Sequence, residues 1–179
     1  MNRILTLATV LLIVATVAAC SRGGGHDRST SIFQHLSIAD NGDVVAHARD
    51  GSDARITAAG DLDIQGKSLA VTPAQRDLLK GYHADAVVLR KDAVATGKAG
   101  MKTGMHALDA VAKGLASGNA DSIDREVDSR AKQVDALANA VCQDLARLYA
   151  DQGKVAAAMP AFGPYATIEP HEVSECRGD

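Results

Sequence analysis

The run TPAQRDLLKGYHADAVVLRKDAVATGKAGMKTGMHALDAVAKGLASGN, residues 72–119, decides the fold. Thr72-Pro73 is a helix start: a hydroxyl N-cap followed by proline at the first helical position. From Arg76 to Leu115 there is no proline. One apolar row recurs every seventh residue: Val87, Val94, Met101, Leu108 and Leu115. A small-residue row runs beside it: Ala86, Ala93, Gly100, Ala107 and Gly114, with Gly97 and Gly104 adding a third. Such a stripe asks for a partner helix. Glycine costs about 1 kcal/mol relative to alanine inside a helix. Gly81, Gly97, Gly100 and Gly104 are therefore expected where backbones approach closely, or else where the helix kinks near Gly97–Gly104.

Ser117-Gly118-Asn119 reads as the turn, because glycine and asparagine accept left-handed geometry. Asp121 or Ser122 caps the next helix, with Asp124 and Glu126 in its first turn, where the dipole favours acids. Its row is Val127, Val134, Val141 and Leu148, with Ala131, Ala138 and Leu145 four residues after the first three. This is the spacing of a two-helix seam. A turn this short makes the helices antiparallel and brings Gly100 near Ala138. Gly153 is the expected stop. The first helix is the longer, so Leu78, Leu79 and Tyr82 need cover from elsewhere in the chain. A plain scaffold hairpin explains the pattern; the sharper reading is that the rest of the first helix binds a partner.

The chain has 179 residues, enough for one domain with appendages. Apolar residues make up 46%, but only 3% are aromatic and there is no tryptophan, so Ala, Val and Leu must build the core. That composition suits thin helix–helix seams. With a formal charge of −3 and no basic cluster in the sequence, nucleic acid is not an expected partner.

The N-terminus reads as an address. Met1-Asn2-Arg3 is a short positive region, and Ile4 to Ala19 is a run of apolar residues and threonine. The run is short for a membrane span and fits the core of a signal peptide. It ends Val17-Ala18-Ala19-Cys20-Ser21, which resembles the bacterial lipoprotein cleavage box. That resemblance implies that Cys20 becomes the lipidated first residue of the mature chain, its thiol carrying the diacylglyceryl group. An ordinary secretory signal or an inner-membrane anchor is the alternative. Ser21 after the cysteine, by analogy with this class, implies the outer membrane of a Gram-negative cell, facing the periplasm. Residues 21–31, rich in Gly, Arg and Ser, read as a flexible tether.

Between Ile32 and Val71 the character changes. Turns are expected at Asn41-Gly42, Asp50-Gly51, Ala59-Gly60 and Gln65-Gly66, where positive φ is available. Short segments lie between them: Ile32–Ala39, Val44–Ala48, Ala54–Ala58, Leu62–Ile64 and Leu69–Val71. Leu36/Ile38 and Leu62/Ile64 alternate as strand residues do. The expectation is a small antiparallel meander with one face on the hairpin. Gly42, Gly51 and Gly60 are nine apart, but nothing else repeats between them, so no solenoid is inferred.

The whole then reads as α+β: a small N-terminal antiparallel β-meander followed by a long antiparallel two-helix hairpin. The divisions are 1–19 lipoprotein signal peptide, 20–31 tether, 32–71 β-rich module, 72–152 hairpin and 153–179 irregular tail. The segment Gly60-Asp61-Leu62-Asp63-Ile64-Gln65-Gly66-Lys67-Ser68-Leu69-Ala70-Val71-Thr72-Pro73-Ala74-Gln75-Arg76, continued by Leu78-Leu79 and Tyr82, resembles an uncharacterised proteobacterial envelope family, DUF2884 (YggN-like). The resemblance covers residues 35–150 and is carried by the strand–helix junction. It implies a periplasm-facing protein of unknown function and transfers no catalytic residue.

With Cys20 lipidated, Cys142 and Cys176 remain. In an oxidising compartment a leftover pair is most simply a disulfide, which would pin the tail with Pro160, Pro164 and Pro170 against the second helix. A buried free thiol at Cys142 is the alternative. Candidate chemistry is thin. Met101, Met105 and His106 offer soft ligands for Cu(I), but Met101 lies on the apolar row and His106 points about 100° away from Met105. His26, His35, His47, His83 and His171 are scattered and read as surface or turn residues. Asp61 and Asp63 share a strand face, as acid/base or Ca²⁺ groups would, and read as solvated. There is no phosphate loop, nucleophile elbow, zinc-protease motif or dinucleotide fingerprint. No catalytic residue, cofactor or metal site is expected. The leading reading is a non-enzymatic, membrane-anchored envelope lipoprotein with a binding or structural role, whose partner is an envelope protein or a second copy. The alternative is a periplasmic small-ligand or metal carrier.

Overall fold

Four turns set the register of the N-terminal module. At Ala39–Asp43 the Gly42 amide donates to the Ala39 carbonyl, and the Ala39 amide donates to Asp43. The same pair of bonds recurs at Ala48–Ser52 and at Thr57–Asp61. In each, only the glycine has positive φ (Gly42, 89°; Gly51, 81°; Gly60, 80°). These are three-residue loops closed by a glycine bulge, not the two-residue turns expected from Asn-Gly and Asp-Gly. Their identity accounts for the nine-residue glycine spacing. The two-residue turn is at Gln65 (φ 51°) and Gly66 (φ 74°). It pairs Ile64 with Lys67 and so starts the last strand earlier than expected.

The computed structural model describes residues 35–117 and 121–178, with backbone alone at 111–112, 114–117 and 121–127. The strands are β1 (Leu36–Ile38), β2 (Val44–His47), β3 (Asp53–Ile56), β4 (Leu62–Ile64) and β5 (Lys67–Leu69). They form one antiparallel meander in chain order. Pairings such as Val44 with Ile56 and Ile56 with Leu62 gather apolar side chains on one face. Val44, Ala46, Ala54, Ile56 and Leu62 are fully buried there. The helices follow: α1 (Pro73–Ser117), α2 (Asp121–Ala158), a 3-10 segment (Pro160–Tyr165) and α3 (Pro170–Arg177). The architecture is the expected α+β meander and helical hairpin.

α1 begins as the sequence indicates. The Gln75 amide donates to Thr72 Oγ1, and the Thr72 amide donates to Gln75 Oε1, a reciprocal cap. Gln75 also donates from Nε2 to the Ala158 carbonyl, tying the start of α1 to the end of α2. The turn assigned to Gly118-Asn119 lies outside the described residues. The helices are antiparallel: Asp85 faces Asp151, and one heptad along Asp92 faces Asp144.

The seam corrects the expected row. Val87, Val94, Met101 and Leu108 do not face α2; they are 38%, 45%, 68% and 74% exposed. The seam is made by Leu79, Tyr82, Ala86 and Leu89, all fully buried, and continues as half-buried Ala93, Thr96, Gly100, Thr103 and Ala107. Opposite it α2 places Val134, Val141, Leu145 and Leu148, with the small Ala138 among them. From Ala93 onward the α1 row that faces α2 carries only small residues, and α1's large row lies about 100° away around the helix. The glycines are not forced by packing. A methyl built on Gly97, Gly100 or Gly104 would meet nothing within 4 Å, so those positions do not require glycine for backbone contact.

The tail is not irregular, and α2 runs through Gly153 to Ala158. Pro160 opens the 3-10 segment. Pro170 opens α3, where Glu169 and Glu172 form a capping box. Phe162 is fully buried and meets Tyr82 edge-on, ring centroids 5.6 Å apart. Buried Gln152 donates to the Ile168 carbonyl and accepts from the Ile168 amide. Cys142 and Cys176 are bonded, with Cα atoms 5.5 Å apart.

Gly60 lies hard against the first turn of α1. A methyl there would lie 2.5 Å from the Arg76 carbonyl oxygen, whereas at Gly51 it would meet nothing. Both have left-handed φ. Gly51→Ala should therefore cost about 1 kcal/mol from backbone strain alone, and Gly60→Ala about 3 kcal/mol or more. Urea unfolding midpoints of the two variants measure this; equal losses would contradict the close approach.

Candidate functional site

The sheet face opposite the core carries a polar row that no motif spacing marks. Ser37, His47 and Asp53 lie on three consecutive strands, and the register of the meander pairs His47 with Asp53 and places Ser37 diagonal to His47. His47 Nδ1 is 2.6 Å from Asp53 Oδ1, and Ser37 Oγ is 3.0 Å from His47 Nε2. An ionised Asp53 can only accept, so Nδ1 carries a proton, and in the neutral imidazole Nε2 then accepts from the Ser37 hydroxyl. The connectivity is that of an acyl-transfer relay.

The surroundings argue for a structural tie instead. Acyl transfer also needs a concave place for the carbonyl and donors aimed at its oxygen. The hollow on this face, about 380 Å³, is lined by Val45, Ser52, Asp53, Arg55, Asp63, Gln65 and Gly66, and by neither Ser37 nor His47. Asp53 is 55% exposed, so water competes for the carboxylate. Asp61 and Asp63 do not act together. Arg76 pairs with Asp61 and holds its carboxyl below the usual range, while Asp63 lines the hollow.

A second hollow, about 390 Å³, lies where the β2–β3 turn meets the tail. Ala48, Arg49, Asp50, Gly163, Pro164, Ala166, Thr167 and Glu169 line it. Arg49 pairs with Glu169 across it, and Ser52 Oγ and Tyr165 Oη are 3.0 Å apart beside it. Ser52 also bonds Asp50 through its amide and hydroxyl, lowering that carboxyl's pKa.

The third cluster is inside the hairpin. Asp144 is buried at 4% exposure; one oxygen accepts from Arg147, and the other has no hydrogen-bond partner among the described residues. Burial first, then Asp92 opposite, pushes its pKa up against the pull of Arg147. Burial and the facing Asp151 likewise raise Asp85, with Asp144 adding to the effect and Arg147 opposing it. Lys154, held by Asp151 at 2.5 Å, is raised in turn.

Met101 and Met105 are exposed, as is His106, and among the described residues no group of three His, Cys, Asp or Glu side chains could hold a metal ion. No described helix is long and apolar enough to cross a membrane. Cys20 lies outside the described residues. No family model, curated protein or solved structure matches this chain.

Two outcomes follow from these clusters. His47→Gln should cost less than about 1 kcal/mol, because the pair it breaks is solvated, and a fluorophosphonate should leave Ser37 unlabelled; labelling there by mass spectrometry would make the row catalytic. For Asp85, the raised folded pKa means its favourable contribution is present below the ordinary value of 3.8 and is lost as pH rises through the raised value. Asp85→Asn should therefore melt higher than the parent at pH 7.5, with the gap closing below pH 4. Melting curves across that range check the sign.

Proposed function

We propose that this chain is a lipid-anchored protein of the Gram-negative cell envelope, with a non-enzymatic binding or structural role, held at the periplasmic side of the outer membrane. One observation carries the reading: the apolar run Ile4–Ala19 ends in Val17-Ala18-Ala19-Cys20-Ser21. Position, spacing and residue type agree on Cys20 as the acylated residue. The bond between Cys142 and Cys176 supports it, since such pairs persist in oxidising compartments. The resemblance of residues 60–82 to the envelope family DUF2884 points to the same place.

The described surface fits binding better than catalysis. Its one relay opens on solvent, and its buried acids are enclosed between helices. A small-ligand carrier is the second reading, favoured by the hollow of about 390 Å³ beside the tail, which has the volume of a small-molecule site.

Protein isolated from membranes of the producing cell should yield an N-terminal peptide that begins at Cys20 and carries acyl mass. Cys20→Ser should move the chain to the soluble fraction. An unmodified Cys20 in a soluble native protein would refute the anchor.

A further inference from the structure

α1 has two apolar faces, and α2 covers only one. The uncovered face is a single row of Val87, Val94, Met101, Met105 and Leu108, the last three more than 65% exposed. Along the helix it spans roughly 30 Å. Exposed Arg90 is within it, and exposed Lys91, Lys98 and Lys102 flank the side away from α2. None of these four cations enters an ion pair among the described residues. The acids of this stretch are engaged elsewhere: Asp92 turns to Asp144, and Asp109 pairs with Lys113. Among the described residues, four cations without an ion pair thus stand beside the most exposed apolar row, in a chain whose net charge is −3.

From this pairing of bulk and charge we infer that the α1 row docks on an anionic phospholipid surface, with the hairpin lying along the bilayer. The row enters the interface, and the lysines reach the headgroups by extending their stems, as interfacial helices do. A second copy fits less well. It would bring the same four cations to the same place. A helix pair also needs a second filled row beside the first, and here that row reads Arg90, Gly97 and Gly104. A lipid surface needs no such knobs. The inference rests on the anchored reading for its proximity to a bilayer. Residues 20–34, fully extended, reach on the order of 50 Å, longer than the row itself.

The test uses the full chain as isolated from membranes, with its mass reporting acylation separately. It is combined with vesicles of phosphatidylcholine alone or of an equimolar phosphatidylcholine–phosphatidylglycerol mixture, and amide hydrogen exchange is followed. Exchange over residues 87–108 should slow several-fold on the anionic vesicles and not on the neutral ones. Lys91→Glu/Lys98→Glu/Lys102→Glu should abolish the slowing, as should Met101→Ser/Leu108→Ser, while peptides around Cys142 stay protected and so report an intact fold. Slowing in an unacylated chain upholds the docking and removes the anchor; an acylated chain with no slowing does the reverse. Protection without vesicles that fades on dilution would assign the row to a second copy, and protection without vesicles at every concentration would assign it to the chain's own N-terminal segment. Either overturns the inference.

Discussion

The structure depends on closing an aromatic-poor core, and it does so at Phe162. The chain has three tyrosines and two phenylalanines. Tyr82, Phe162 and Tyr165 lie together, the first two edge-on and the last two tilted at 6.1 Å. One comes from α1 and two from the 3-10 segment, which also contacts β3. Aromatic rings bury more area than any other side chain. Around them the core is Val, Ile, Leu and Ala. Phe162 reaches Tyr82 because α2 continues through Gly153 and Pro160 turns the chain back. Gln152 and the Cys142–Cys176 bond then hold that return in place by independent means, one polar and one covalent.

The hairpin consequently has two unlike parts. Near the sheet, α1 buries Leu79, Tyr82, Ala86 and Leu89 beneath several elements. Beyond Asp92 the row that faces α2 thins to half-buried Ala93, Thr96 and Gly100. The facing carboxylates, Asp85 with Asp151 and Asp92 with Asp144, lie at the boundary. Like charges there oppose closure, and Arg147 offsets only part of it. The outer part contributes little to the core, so its large apolar side chains are free to serve a surface.

Much of the fold was legible because local chemistry and tertiary structure agree. Thr72-Pro73 caps α1 as its residue types require, and the glycine turns separate the strands nearly where alternation places them. The seam row was not legible. Heptad spacing occurs in two adjacent rows of α1, and spacing alone does not say which one turns inward. Nor could the tail helices be read, since prolines that mark a helix start resemble prolines that prevent one. Ser37, His47 and Asp53 were missed because their meeting depends on exact register across two glycine-bulge loops. No motif spacing records that; a strand alignment built from the three identical turns would have found it.

Phe162 and Cys176 follow the meander and both long helices in sequence, and that order has a consequence for assembly. A polypeptide emerges from its amino end. The meander and both long helices are complete before the residues that seal the core exist outside the ribosome. Until then Tyr82 has no Phe162 against it and Cys142 has no Cys176 to bond. The edge-on ring contact and the disulfide therefore close only after both long helices have been made.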